Sequence, residues 1–443
     1  MSLAASGAVS PTTSIAAAIG KELASVGVNW DFAPAHDCLN DLTEPLEASR
    51  RFGDYRGTTS DYTLAFVRGL QASGIASCAT ETAAVGIQEL YRSLNEDVSE
   101  EEALKSLQQL DPDPPMSHMK WEFFDSVQLS ASIHEYDDPA RVSRSIALAI
   151  DAIIRKRLAF EGPVVSDCSD IPSETNMCIK HAPLRALLSG SDMVRLANDY
   201  TTQIESIHAI YAAVAAGRLT ANALLVAANR VSSLKSGYLS WPTALNPPLN
   251  LSSFLPSHAT LAQNTYRASI TLLSNGPSPL TGLPAASILL LLTPTVPSGS
   301  RQPASPTFDP FEPLGKALSR SHSRTRHVPY TLSAGLTSTH MVFLKRAAAV
   351  VLVLCNTSSA LTEAQGEVIS RVRQMLRRRD AEPGAEPIRK VVVGAGDPRD
   401  LKDEMEGWWG VCCYEHTRGA LEGVAEVLVG EREATGTLPV KLG

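Results

Sequence analysis

Apolar residues recur at three- and four-residue steps through Ile15, Ile19, Leu23 and Val26, which predicts an amphipathic helix ending near Gly27. Val28-Asn-Trp-Asp-Phe-Ala-Pro34 then reads as a short strand closed by proline. A second helix, about Asp61 to Ala72, leads into the strand Gly74-Ile-Ala-Ser-Cys-Ala-Thr80. Further strands are predicted at Ser126–Ile133, Gly162–Asp167 and Asp192–Leu196. Helices are predicted at Ala140–Leu158, Pro183–Leu188 and Thr202–Ala216. Repeated β–α alternation implies parallel strands joined by right-handed crossovers. Periodicity alone leaves an open doubly wound sheet and a closed barrel both in play, and the five strands before residue 200 are too few for closure.

From Gly237 to Leu261 the pattern turns irregular, with Trp241-Pro242, Asn246-Pro-Pro248 and Leu255-Pro256, and an interdomain linker is expected there. A second α/β region follows. Its strands are predicted at Ser287–Leu292, Ala349–Leu354, Lys390–Val393 and Gly410–Tyr414. Its helices are predicted around Phe311–Ser319, Glu363–Arg377 and Arg418–Leu428. The Pro/Ser-rich stretch 297–310 reads as a loop, and the acidic, proline-rich segment 95–115 as a solvated surface segment. The expected domains are therefore 1–236 and 262–443, joined by 237–261.

Composition narrows the function classes. A length of 443 residues is too great for one core, and 44% hydrophobic with 19% charged residues is ordinary for a globular protein. A net charge of −8 argues against a nucleic-acid partner, and the short basic run 373–379 reads as a solvated helix end. The seven cysteines are scattered without ligand spacing, which suits reduced thiols better than disulfides or a zinc site. The first ten residues lack a secretory pattern, and the longest apolar run, around Ile288–Leu292, is too short to span a bilayer. A cytoplasmic protein with no membrane association is the expectation. Nothing in the sequence bears on oligomeric state.

Several segments, in order, resemble family 3 glycoside hydrolases of the β-N-acetylglucosaminidase-like branch. Val28–Asp37 is similar to the family strand N-x-x-x-A-P-V-x-D, and Arg50-Arg-Phe-Gly53 to R-S-F-G. Phe66-Val-Arg-Gly-Leu-Gln71 resembles the helix before the next strand. Phe160-Glu-Gly-Pro-Val-Val-Ser-Asp167 resembles G-F-x-G-x-V-x-S-D, whose aspartate is the nucleophile. Ala186–Val194 is similar to A-x-x-A-G-x-D-x-V. Ala395–Leu401 and Leu438–Leu442 resemble the branch's C-terminal domain. The resemblance implies an α/β fold: an incomplete TIM-type (β/α) barrel lacking its first strands, followed by a C-terminal α/β-sandwich domain. It also implies a carbohydrate substrate and no cofactor. The activity implied is retaining hydrolysis of β-linked N-acetylglucosaminides or β-glucosides.

The departures are as informative. Where the family reads K-H-F-P-G-H-G-D-T, this chain has Thr80-Glu-Thr-Ala-Ala-Val-Gly-Ile-Gln88. Thr80 and Glu81 replace the Lys–His pair that grips the sugar, and Val85 stands at the acid/base histidine. A second family histidine falls near Ser130–Ser132. Retaining hydrolysis needs a carboxylate nucleophile and an acid/base group on the other side of the anomeric carbon. Asp167 ends an apolar strand, where it could be the nucleophile or cap a helix. Glu81 is the candidate replacement acid, with a solvent-facing glutamate as its other role; His134-Glu135 is a weaker alternative. Arg50 and Asp37, beside His36, are candidate sugar contacts or a surface arginine and a structural turn. Val391-Val-Val-Gly-Ala-Gly396 lacks the spacing of a nucleotide-binding loop. Two functions stay open: a working hydrolase, or a degenerate homologue with a sugar- or partner-binding role.

Overall fold

In the first α/β region, two glycines turn helices into strands: Gly27 (φ 88°) and Gly74 (φ 77°) adopt left-handed backbone, which side chains disfavour. They end helices α1 (Val9–Ser25) and α2 (Arg56–Ala72). The computed structural model describes residues 1–35, 51–54, 56–80, 99, 101–105, 123–129, 139–168, 181–196, 199–247, 250–295, 309–331, 333–355, 359–384, 386–404 and 407–442. The chain divides into two units, Thr13–Leu39 with Ser60–Phe254, and Met1–Thr12 with Asn40–Thr59 and Leu255–Gly443.

The unit containing Ser60–Phe254 is built on a parallel sheet of β1 (Cys78–Ala79), β2 (Ser126–Leu129), β3 (Val164–Cys168) and β4 (Met193–Leu196), in that order. Beyond β1 the extended stretch 29–35 adds a parallel line: Ala76 N donates to Asn29 O at 2.9 Å and Cys78 N to Ala33 O at 3.0 Å. Four of the five strands expected before residue 200 are present, the third described only to Leu129; the one expected at 28–34 makes only isolated parallel bridges, and among the described residues no pairing closes the sheet into a barrel.

Helix α3 (Pro139–Leu148) widens into a π-helical stretch, Ala149–Arg157, where one unbroken α-helix was expected. This pair lays Val142, Ile146, Ile150, Ile153 and Ile154 on the sheet beside Val127, Leu129, Val164 and Cys168. Helices α4 (Ala182–Leu188), α5 (Tyr200–Ala215) and α6 (Ala221–Tyr238) follow, capped at α5 by Asp199 and at α6 by Thr220. The stretch expected to be irregular is largely helical, comprising α7 (Trp241–Leu245) and α8 (Leu251–Ser269). Pro256 removes one helical hydrogen bond of α8, yet the helix continues past it.

The other unit has a six-stranded sheet in the order β5-β10-β9-β8-β6-β7. The strands are β5 (Thr271–Leu272), β6 (Ile288–Pro294), β7 (Thr325–Tyr330), β8 (Ala347–Leu354), β9 (Arg389–Gly394) and β10 (Trp409–Cys412). All pairs are parallel except β5 on β10. Near-continuous apolar runs such as Val350–Leu354 are buried from both sides, as a parallel sheet covered by helices requires. Helices α9 (Glu312–Ser321), α10 (Ser338–Arg346), α11 (Ser359–Asp380) and α12 (Arg418–Leu428) complete this unit.

Candidate active site

Successive side chains of a strand point to opposite faces. In β3, Val164 and Cys168 pack under the helices, so Asp167 takes the opposite face. The same alternation in β2 buries Val127 and Leu129 under the helices and gives Gln128 to the face of Asp167. Parallel pairing sets Asp167 opposite Arg195 of β4. These three side chains converge: Gln128 Nε2 donates to Asp167 Oδ2 at 2.7 Å, and an Arg195 guanidinium N–H donates to the same oxygen at 2.9 Å. The Asp167 side chain is 10% exposed and that of Arg195 51%. A charge-assisted donor and a neutral donor therefore fix one carboxylate at the carboxyl end of a parallel strand, where barrel enzymes carry their chemistry.

Between the sheet and helices α3 and α4 lies a cavity of about 20 Å³, lined by Leu129, Val142, Ile146, Asp167, Cys168 and Ala186, room for roughly one water. There burial, helped by the neighbouring Asp167 charge, pushes the Cys168 thiol up to about 12, so it stays a thiol at neutral pH.

Two carboxylates, Asp192 buried and Asp125 partly so, hold the scaffold behind the site. Asp192, with a side chain 2% exposed, accepts from Arg155 at 2.6 Å, from Arg230 at 2.9 Å and from Val164 N at 2.8 Å. It ties the π-helical stretch and α6 to the start of β3. Arg155 also donates to Phe160 O and Gly162 O, and burial lowers its pKa despite the pull of Asp192. Asp125, just before β2, accepts from Ser77 N and Oγ (2.8 Å each), Gln71 Nε2 (2.9 Å) and Tyr238 Oη (2.6 Å). Burial first, then that bond to Asp125, raises the Tyr238 pKa. Residues at this amino-terminal end of a parallel sheet serve stability rather than chemistry.

Of the residues singled out in the sequence, Asp167 is placed by the structure, while Glu81, Arg50, Asp37, His36, Val85, His134 and Glu135 lie outside the described residues. Gln128 and Arg195 were not anticipated as site residues. Their signal is a lone amide and a lone guanidinium at inward positions of strands that are otherwise apolar or small. Among the described residues no group of three or more His, Cys, Asp or Glu could hold a metal ion, and no helix is long and apolar enough to cross a membrane.

Comparison with known proteins adds relatives to this geometry. The profile of the glycosyl hydrolase family 3 N-terminal domain matches residues 1–234. A Cellulomonas fimi protein described as a β-N-acetylglucosaminidase/β-glucosidase is 26% identical over 294 residues, covering 63% of this chain and 51% of that protein. The chain thus spans about half the length of this curated relative. Among solved structures, a fungal multi-domain β-N-acetylglucosaminidase superposes with a TM-score of 0.80 at 21% identity, covering 100% of this chain and 50% of that one. A β-N-acetylglucosaminidase from Paenibacillus sp. str. FPU-7 gives 0.74 at 21% identity, covering 100% of this chain and 82% of that one. A β-glucoside phosphorylase gives 0.70 at 17% identity, covering 100% of this chain and 79% of that one. At these identities the structural likeness concerns the fold.

Proposed function

The chain belongs to glycosyl hydrolase family 3, and from that premise we propose that it hydrolyses β-linked N-acetylglucosaminides or β-glucosides with retention, using Asp167 as nucleophile. The observation that carries this is the Asp167 carboxylate, held by Gln128 and Arg195 at the carboxyl end of β3. A fixed carboxylate is what the first displacement needs, because orientation supplied in advance lowers the barrier. Asp167 attacks the anomeric carbon to form a glycosyl ester, and water then hydrolyses that ester. Glu81 gives its proton to the leaving oxygen and afterwards accepts one from the water. Arg50 and Asp37 grip the sugar, and the domain scheme is a catalytic-like 1–236 followed by 262–443.

The test is release of chromophore from nitrophenyl β-N-acetylglucosaminide and β-glucoside by purified, folded protein. Asp167→Asn is expected to abolish release, and unchanged turnover would remove Asp167 as nucleophile. Glu81→Gln is expected to slow hydrolysis of a poor leaving group about 10²- to 10⁴-fold, the usual worth of a positioned acid.

One sequence observation favours a second reading, a degenerate homologue that binds sugar or a partner: Val85 stands where the branch carries its acid/base histidine. Release no greater than that of Asp167→Asn, from protein shown to be folded, would select it.

A further inference from the structure

Helix α6 carries no buried residue, yet polar bridges hold it to the sheet. Arg230 donates to Asp192 Oδ1 at 2.9 Å, and Tyr238 Oη, about two turns further on, donates to Asp125 Oδ1 at 2.6 Å. Between these bridges the helix does not close onto the amino-terminal end of the sheet, and a cleft of about 530 Å³ opens there. That size lies within the roughly 300–1,000 Å³ of small-molecule sites. Ser233 and Leu234 of α6 line one side, and the turn into β3, through Glu161 and Pro163, lines the other.

That turn is fixed in advance. Arg155 donates to Phe160 O at 2.6 Å and to Gly162 O at 2.8 Å. A Cβ built on Gly162 would lie 2.6 Å from Asp125 O, so the turn is seated tightly on the residue before β2. Ala159 is held at φ 50°, a left-handed backbone that side chains disfavour and that clusters at ligand-binding segments.

The lining groups complement one another. Glu161 only accepts hydrogen bonds, Arg230 only donates them, and the Asn229 amide and Ser233 hydroxyl do both. Among the described residues, the side chains of Glu161, Asn229 and Ser233 have no hydrogen-bond partner. A sugar hydroxyl both donates and accepts, so neighbouring hydroxyls satisfy a carboxylate and a guanidinium together, while Leu234 and Pro163 offer apolar contact to ring C–H groups. An anion would meet the carboxylates of Asp125 and Glu161, and the guanidinium of Arg230 already faces Asp192. A cation would leave the donors of Arg230 and Asn229 unused.

We propose that this cleft binds a neutral saccharide without transforming it. It lies at the opposite end of β3 from Asp167. Pro163 and Asp167 are four residues apart, roughly 13 Å of strand, so the cleft is separate from the candidate active site. Its binding is independent of whether Asp167 reacts.

Calorimetric titration of the full chain with glucose and N-acetylglucosamine tests the site, with glucuronate and glucosamine as charged comparisons. The expected result is saturable binding of a neutral sugar, unchanged in Asp167→Asn. Glu161→Ala should weaken it about tenfold and Asn229→Ala about threefold, the scale of one hydrogen bond to a charged and to a neutral group. Both residues are exposed, and an unchanged denaturation midpoint shows that the variants remain folded. No saturable binding of either neutral sugar, equal binding by both cleft variants, or tighter binding of a charged sugar overturns the inference. Loss of binding in Asp167→Asn would place the sugar at Asp167 and overturn it too. Turnover of nitrophenyl substrates is read separately, so either the cleft or the hydrolase reading can fail without the other.

Discussion

At the scale of single residues, the candidate site is a carboxylate held by two neighbours from other strands. Gln128 has no charge of its own to offer, so its worth lies in orientation. Gln128→Leu keeps the bulk but removes the 2.7 Å bond to Asp167, and kcat is expected to fall about tenfold with little change in KM, as when one hydrogen bond to a charged group is lost. A steady-state comparison checks it, and equal fall of kcat and rise of KM would mean that Gln128 touches the sugar instead. Asp167 was singled out in the sequence because it closes an apolar strand inside a segment that resembles the family's G-F-x-G-x-V-x-S-D motif. Gln128 and Arg195 were not, since only the pairing of β2 and β4 with β3 brings them to that oxygen.

At the scale of elements, helices α1 and α2 approach so closely that a Cβ built on Gly69 would lie 2.5 Å from Thr13 O and 2.6 Å from Ala16 Cβ. Gly69→Val should force them apart and cost about 1–3 kcal/mol, read as a lower denaturation midpoint. Asp192 does more, since three elements meet on it. Asp192→Ala leaves Arg155 and Arg230 facing a buried gap and is expected to cost about 3–5 kcal/mol, while a loss below about 1 kcal/mol would show that the arginines find water. Some elements escaped the sequence for identifiable reasons. Helix α6 has no buried residue, so its pattern shows no single apolar face. Strand β7 carries Arg326, His327 and Pro329 and lies at the edge of its sheet, where such residues are tolerated.

At the scale of the whole molecule, buried thiols make the stability of the fold depend on alkaline pH. Burial pushes the thiols of Cys78, Cys168, Cys355 and Cys413 from 9.0 up to about 12. The native chain therefore keeps protons that the unfolded chain releases above about pH 8.5. Stability is complete below that value and declines as pH rises toward 12. Denaturant midpoints measured from pH 7 to 11 should fall progressively above about pH 9, and Cys168→Ala should make the fall shallower. A midpoint independent of pH across that range would show that these thiols are not buried as described.

The sequence alone determined what local chemistry can determine. Alternation of period 2 and period 3.6 located four strands in the first region and four in the second, and the collinear motifs pointed to family 3. These signals are carried by neighbouring residues, so no knowledge of distant contacts is needed to read them. Tertiary structure decided the remainder. It set which strands are neighbours, and so which side chains share the oxygen of Asp167. It also widened 149–157 into a π-helix, where Arg155 meets the buried Asp192 that lies 37 residues further on. Each of these depends on groups far apart in the chain, and a one-dimensional pattern carries no term for the distance between them.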